Sequence, residues 1–160
     1  MTGLNIKIKK EVFSPQVSFD HYPERAHHMI KKPKPMALVM AICDVVIDDK
    51  TTGKKSLVGL FNNITTSTVP CAHPRLNVFL SLTEGTGVYT MRLRCLQVGK
   101  ETDLFGMEGQ INFQSPKQIV EFNFEMINVP FPDYGEYRFE VLCDSEPIIA
   151  RRFQISQSGV

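Results

Sequence analysis

Cys71-Ala-His73 is the pair of side chains in this sequence with the clearest chemical potential. A thiolate beside an imidazole could act as nucleophile and base, or supply half of a zinc site. Catalysis would also need a group that orients the base and an oxyanion hole, and no glycine-rich elbow or phosphate loop is found. Zinc would need two more ligands, and Cys43 and Cys95 lie in apolar strand patterns. We interpret the pair as a loop cysteine and a surface histidine, and we predict that the chain is not an enzyme.

Two other groups of residues have the side chains that metals prefer. His21, His27 and His28 lie near Asp20 and Glu24. They could bind Zn²⁺ or Ni²⁺ adventitiously, but a structural site needs four ligands held by a fold. Calcium needs six to eight oxygens at one place. The aspartates in predicted loops are spread over several turns: Asp48, Asp49, Asp103, Asp133 and Asp144. We predict no metal site and no cofactor.

Basic residues are concentrated at the N-terminus, although the net charge of the chain is only +1. Residues 1–35 hold seven Lys or Arg against three acids, and the remainder is mildly acidic. The lysines could contact phosphate. However, few aromatic residues accompany them for base stacking, apart from Phe13, Phe19 and Tyr22. We therefore do not expect nucleic acid as the partner. Arg92 and Arg94 share a strand face, and glutamates on other strands can pair with them.

The N-terminal segment contains a short strand pattern, in which apolar Leu4, Ile6 and Ile8 alternate with polar residues. Residues 15–35 follow as a proline-punctuated linker. A strand on such a linker either folds back on its own sheet or adds to a neighbour's sheet edge. The predicted partner-binding residues are Leu4, Ile6, Lys7, Ile8, Lys9 and Lys10. We divide the chain into an arm (1–35), a body (36–157) and a tail (158–160).

The body begins with Met36 to Ile47, a run that is apolar on both faces. Its β-branched residues favour a strand over a buried helix, and the strand should be central or covered on both sides. Asp44 interrupts the run. A buried acid must be paired or protonated, so we expect Asp44 at the sheet rim or against a loop amide. A turn, Asp48–Gly53, then leads into a second strand, Lys54–Ile64.

Strand patterns then recur every 10–15 residues, with turn residues between them. Thr65–Arg75 is interpreted as a crossing loop. In the seventh strand, Tyr137, Phe139 and Val141 alternate with charged residues and should fill the core. Within the body, no helical pattern of ten or more residues competes. We predict an all-β protein: an antiparallel β-sandwich of seven or eight strands with an extended N-terminal arm.

Residues 36–157 resemble a bacterial protein family of unknown function with an immunoglobulin-like or C2-like β-sandwich fold. The resemblance rests on short motifs distributed along the body: Ile42-Cys-Asp44, Gly53-Lys54, Gly59-Leu-Phe61, Pro70 to Pro74, Phe131-Pro132, Gly135 and Tyr137. These motifs are diagnostic of a fold. The resemblance implies no reaction and no substrate.

Four widely spaced cysteines without a CxxC pair indicate reduced thiols and a cytoplasmic protein, and the alternative is disulfides in a secreted protein. The sequence has no apolar run long enough for a transmembrane helix, and its start lacks signal-peptide features. We predict a non-enzymatic structural, assembly or protein-interaction protein whose arm contacts a partner. The partner is a protein, either another copy of the chain in a homo-oligomer or a component of a larger assembly. The alternative is a small-molecule or carbohydrate-binding module. It would use the loops Thr83–Gly87 and Phe131–Tyr134, with Tyr134 stacking on a sugar ring.

Overall fold

The computed structural model describes residues 5–9, 32–100 and 102–159 of the chain. Every regular element in these residues is a β-strand. The strands are β1 (Asn5–Lys9), β2 (Met36–Asp48), β3 (Lys55–Leu60), β4 (Asn63–Thr66), β5 (Cys71–Thr83), β6 (Gly87–Gln97), β7 (Asp103–Phe113), β8 (Val120–Phe131), β9 (Gly135–Cys143) and β10 (Glu146–Gln157).

These strands form two sheets that enclose one hydrophobic core. The first sheet has the order β1-β8-β5-β2-β3 and the second has the order β4-β10-β9-β6-β7. Neighbouring strands are antiparallel, except that β4 pairs parallel with β10. The predicted all-β sandwich is confirmed, with nine strands between Met36 and Gln157.

The additional strand arises because the predicted second strand, Lys54–Ile64, is divided between the sheets. β3 ends at Leu60 in the first sheet, and β4 begins at Asn63 in the second. The predicted crossing loop is also shorter than expected. β5 already begins at Cys71, whose backbone registers with Phe131 of β8. Pro74 does not end β5, because the ladder with β8 resumes at the next residue.

The strand β9 lies in the middle of the second sheet and contributes to the core as predicted. The side chains of Tyr137, Phe139 and Val141 are each 0% exposed. The ring of Phe139 stacks on that of Phe153 in β10, with centroids 5.2 Å apart. The Tyr137 hydroxyl donates a hydrogen bond to the backbone oxygen of Asp133 at 2.7 Å, which fixes the turn that leads into the strand.

Candidate interaction surfaces

The N-terminal strand β1 forms one edge of the first sheet, beside β8. It pairs antiparallel with β8, and the backbone register sets Ile6 opposite Met126 and Ile8 opposite Phe124. Met126 and Phe124 are each 1% exposed and belong to the core between the sheets. β1 therefore adds a fifth strand to the first sheet, next to a strand whose side chains belong to the core.

The strand β1 contains four of the six residues predicted to bind a partner: Ile6, Lys7, Ile8 and Lys9. Leu4 and Lys10 lie outside the described residues. Pairing with β8 of the same chain is one of the two arrangements that the sequence pattern predicted. Contact between this strand and a neighbouring subunit stays a prediction.

Lys32, which precedes the first strand of the body, makes several contacts with the body. Its Nζ donates a hydrogen bond to the backbone oxygen of Val88 and lies 3.6 Å from Asp144 Oδ2. The same atom lies 3.8 Å from the centroid of the Tyr89 ring, a cation–π contact. The Tyr89 hydroxyl in turn donates to the backbone oxygen of Pro33 at 2.7 Å. Contacts with the body thus begin ahead of the predicted boundary at residue 36.

The β2–β3 hairpin turns back across the outer face of the first sheet. Lys55 Nζ lies 3.1 Å from Glu121 Oε2, although β2 and β5 separate β3 from β8 in the sheet. Glu121 in β8 and Val39 in β2 both lie opposite Ser81 of β5, so they share one row across the sheet. Lys55 lies opposite Asp48, much further along β2. Because a straight strand from Val39 to Asp48 would span about 30 Å, the ion pair requires a fold-back.

Burial on the outer face of the first sheet agrees with this fold-back. Phe79 and Ser81 alternate in β5 with Leu80 and other core residues, so they point away from the core. They are nevertheless only 6% and 5% exposed. Cys43, which registers with Asn77 near the bend, is 0% exposed. The first strand was predicted to be covered on both sides, and its middle is buried in this way.

The bend starts where β2 leaves β5, at Asp44 opposite Gly59. Gly59 has φ of +67°, in the left-handed region that favours glycine. A Cβ on Gly59 would collide with the carboxylate of Asp44. Two hydrogen bonds hold the bend from the outer face of the sheet. Asn77 Nδ2 donates to the backbone oxygen of Asp44 at 2.7 Å, and Asn123 Nδ2 donates to Asn77 Oδ1 at 3.0 Å.

This geometry settles the role of Asp44 in the first strand. The residue is exposed where β2 leaves β5, as expected for a position at the sheet rim. Its contact with an amide uses the backbone oxygen rather than the carboxylate, and the amide belongs to a strand residue, Asn77. Asn77 is 3% exposed, so its hydrogen bonds compensate the cost of burying a polar side chain.

The solvent face of the folded-back hairpin is apolar. Val45 registers with Val58 across the hairpin, and Ile47 lies on the same face two residues further along β2. The exposed fractions are 39% for Val45, 47% for Val58 and 51% for Ile47. Leu60, at the end of β3, is 64% exposed. The sequence pattern predicted that Met36 to Ile47 is an apolar strand, but it did not predict that one face of its second half would be exposed to solvent.

A comparison with models of protein families identifies a family that matches most of this chain. The profile of DUF6941, a family of unknown function, matches residues 38–156. The chain belongs to this family. The predicted resemblance to a family of unknown function is thereby confirmed. The matched region begins in β2 and ends in β10, so it includes the folded-back hairpin and excludes β1. A search among curated proteins finds no match.

Three of the four cysteines of this family member are poor nucleophiles. Burial raises the pKa of Cys43, of Cys95 and, to about 11, of Cys143. A raised pKa leaves little reactive thiolate at neutral pH. His73 is half-buried, and burial lowers its pKa, opposed in part by the charge of Asp44. The centroid of its ring lies 5.8 Å from that of the Phe61 ring, so His73 packs against an aromatic side chain.

The acidic side chains that might have bound calcium lie beside basic groups. Asp103 contacts Arg92 and Arg94, and Asp133 contacts Lys100. Arg94 also donates from Nε and Nη2 to Glu140 at 2.9 and 2.7 Å, which confirms the predicted pairing with a glutamate. Within residues 32–100 and 102–159, no three His, Cys, Asp or Glu side chains come together as a metal site.

The two loops considered for carbohydrate binding lie at opposite ends of β5. Thr83 is the last residue of β5, whereas Phe131 registers with Cys71, the first residue. Tyr134 is only half-exposed and packs against the core. The loops therefore do not form one common site, and Tyr134 does not present a bare ring for stacking.

An apolar cleft opens at the edge of the second sheet, between β7 and β8. Its volume is about 360 Å³, part of it open to solvent. A Cβ on Gly109 of β7 would meet no atom within 4 Å, so the missing side chain accounts for some of the space. The lining is mostly apolar: Met91, Leu93, Met107, Ile111, Phe122 and Phe124.

Among the described residues, no helix is long and apolar enough to span a bilayer.

Proposed function

We propose that this protein acts by binding and assembly, and that its N-terminal strand provides the contact. The observation that carries the proposal is the antiparallel pairing of β1 with β8 over Asn5–Lys9. Main-chain pairing at a sheet edge accepts any extended segment of suitable length, so β8 of a neighbouring copy offers the same site. The protein is then an interaction module without catalytic chemistry.

The length of the connecting chain is compatible with either arrangement. Residues 10–31 lie between β1 and the contacts of Lys32 with the body. A chain of that length spans at most about 75 Å. This exceeds the width of a small sandwich, so the strand could reach a second subunit. Strand exchange of this type is a low-cost route from a folded monomer to an oligomer.

The cellular setting that we propose is the cytoplasm. The four cysteines are free thiols in this structure, as expected for a reducing compartment. We also propose that the sandwich is immunoglobulin-like, which rests on the sequence resemblance alone.

Deletion of residues 2–14 tests the proposal on the untagged protein. The native mass is measured by light scattering, and stability is measured as the thermal midpoint. We expect the deletion to lower both, because it removes a strand of the sheet and the contact between subunits. The matched control replaces Lys9 and Lys10 with serine, which keeps the alternating apolar residues.

The two readouts distinguish the possible failures. If neither native mass nor thermal midpoint changes, the strand has no role in assembly or in folding. If only the thermal midpoint falls, β1 serves its own chain, and the assembly function is refuted. If both change equally in the lysine control, the charges rather than the strand are responsible.

A further inference from the structure

We propose that the free edge of β3 and the apolar face of the β2–β3 hairpin bind a second copy of this chain. In this arrangement two hairpins meet edge to edge around a two-fold axis and form a four-stranded antiparallel ribbon. This interface is separate from the N-terminal strand, because β1 and β3 lie at opposite edges of the first sheet.

Most of the edge of β3 lacks the features that usually prevent strand pairing, and the positive φ of Gly59 interrupts it only near its end. β3 is the last strand of its sheet, and no strand in the described part of the chain pairs with its outer edge. Natural edge strands are commonly protected by charged side chains or proline. Ser56 to Leu60 contains neither. Lys55, the one charged residue of β3, is directed to Glu121 on the sheet instead.

The side chains of the hairpin favour the same partner. Val58 and Leu60 on β3 are 47% and 64% exposed, and Val45 and Ile47 continue the apolar surface on β2. Pairing of β3 with β3 of a second copy would bring two such rows together. Cross-strand contacts between β-branched and other apolar residues stabilise paired strands. A contiguous exposed apolar surface rarely occurs on a soluble monomer without a function.

The charges select a two-fold arrangement. Lys54 is exposed and lies immediately before β3. Parallel pairing of two copies would set the two Lys54 side chains side by side, and like charges directly opposite each other are destabilising. Antiparallel pairing puts them at opposite ends of the ribbon, about 20 Å apart. The same surface is then used by both subunits, as in most symmetric dimers.

The test uses full-length untagged protein and a Val58→Lys/Leu60→Lys double variant. Ile119→Lys is the matched control, because Ile119 is 58% exposed and lies outside the hairpin. Sedimentation velocity over a range of concentrations gives the mass. Since the N-terminal strand would add its own contact, we expect wild type and control to reach at least twice 18.1 kDa. The double variant should need concentrations about 100-fold higher to form the β3 dimer, if its four lysines together remove about 2.8 kcal/mol of contact energy.

A second measurement does not depend on the folding of the lysine variant. A short bismaleimide should cross-link the Val58→Cys variant into a covalent dimer, and the same reagent should leave Ile119→Cys mainly monomeric. The Ile119→Cys control contains the same native cysteines and therefore reports their background reaction. A wild-type protein that stays monomeric at all concentrations would overturn the proposal, as would equal cross-linking of both variants.

The deletion of residues 2–14 separates this inference from the proposed function. We expect the deleted protein to retain the β3 dimer. Loss of the dimer on deletion, combined with its retention in the Val58→Lys/Leu60→Lys variant, would leave assembly to the N-terminal strand and refute the β3 interface.

Discussion

Strand β9 and the β2–β3 hairpin are both rich in apolar residues, and the structure treats them in opposite ways. In β9, the side chains of Tyr137, Phe139 and Val141 are completely buried between the two sheets. In the hairpin, Val45 and Val58 form a cross-strand pair whose members are 39% and 47% exposed. Both segments have strand propensity, so propensity does not explain the difference.

The cause is the presence or absence of a second layer. β9 lies between β6 and β10 and faces the first sheet, so its apolar face has a partner surface. The hairpin leaves its sheet at Asp44 and folds over the outer face, where it becomes the outermost layer. One face then lies toward the outer face of the first sheet, where Phe79 and Ser81 are buried, and the other has no described neighbour. Apolar residues in β9 therefore stabilise the fold, whereas those on the hairpin remain available for contacts.

The largest effect is expected from Phe139→Ala in the core. The substitution removes a fully buried ring that stacks on Phe153 at 5.2 Å. Truncation of a buried phenylalanine costs about 3–5 kcal/mol. Urea denaturation should show this loss in the free energy of unfolding. A cost below about 1 kcal/mol would mean that β9 is not the central core strand described above.

The second effect concerns the bend of the hairpin. Gly59→Ala places a side chain at a φ of +67° and against the Asp44 carboxylate. We expect a loss of about 1–3 kcal/mol from backbone strain. Hydrogen exchange should show that the loss of protection is concentrated in β2 and β3. The control Gly109→Ala, at an ordinary strand position with open space, should be neutral or stabilising. Equal costs for both variants would contradict the bend.

The third prediction tests the fold-back directly with a double-mutant cycle. The variants are Lys55→Met, Glu121→Gln and their combination, since these two residues form the ion pair across the outer face. Their side chains are 23% and 38% exposed, so we expect a coupling of about 0.2–1 kcal/mol that weakens in high salt. Additive effects of the two substitutions would contradict the ion pair between Lys55 and Glu121.

The smallest effect is expected when a hydroxyl is placed on the hairpin surface. Val58→Thr keeps the β-branched shape, and it should change stability by no more than about 0.5 kcal/mol. Its matched partner is Val141→Thr in β9, where a buried hydroxyl should cost about 1–3 kcal/mol. Both are measured by thermal denaturation at low protein concentration. Similar costs at the two sites would remove the distinction between the two strands.

Much of the fold could be predicted from the sequence, because alternation reports local geometry. The core positions of β9 were predicted correctly, and so was the pairing of Arg94 with a glutamate. Two features could not be predicted. The division of residues 54–64 between β3 and β4 depends on β10 of the other sheet, which offers a partner to Asn63–Thr66. The candidate surface on the hairpin depends on a bend that leaves no periodic pattern.

The sequence by itself determined the class of fold, because periods of two with turns between them indicate an antiparallel all-β protein. It also determined the basic arm and the family, through residues whose order along the chain is sufficient evidence. Only the tertiary structure decided which apolar residues are core and which are surface. Burial requires a second layer, and whether that layer exists depends on contacts between residues as distant as Lys55 and Glu121.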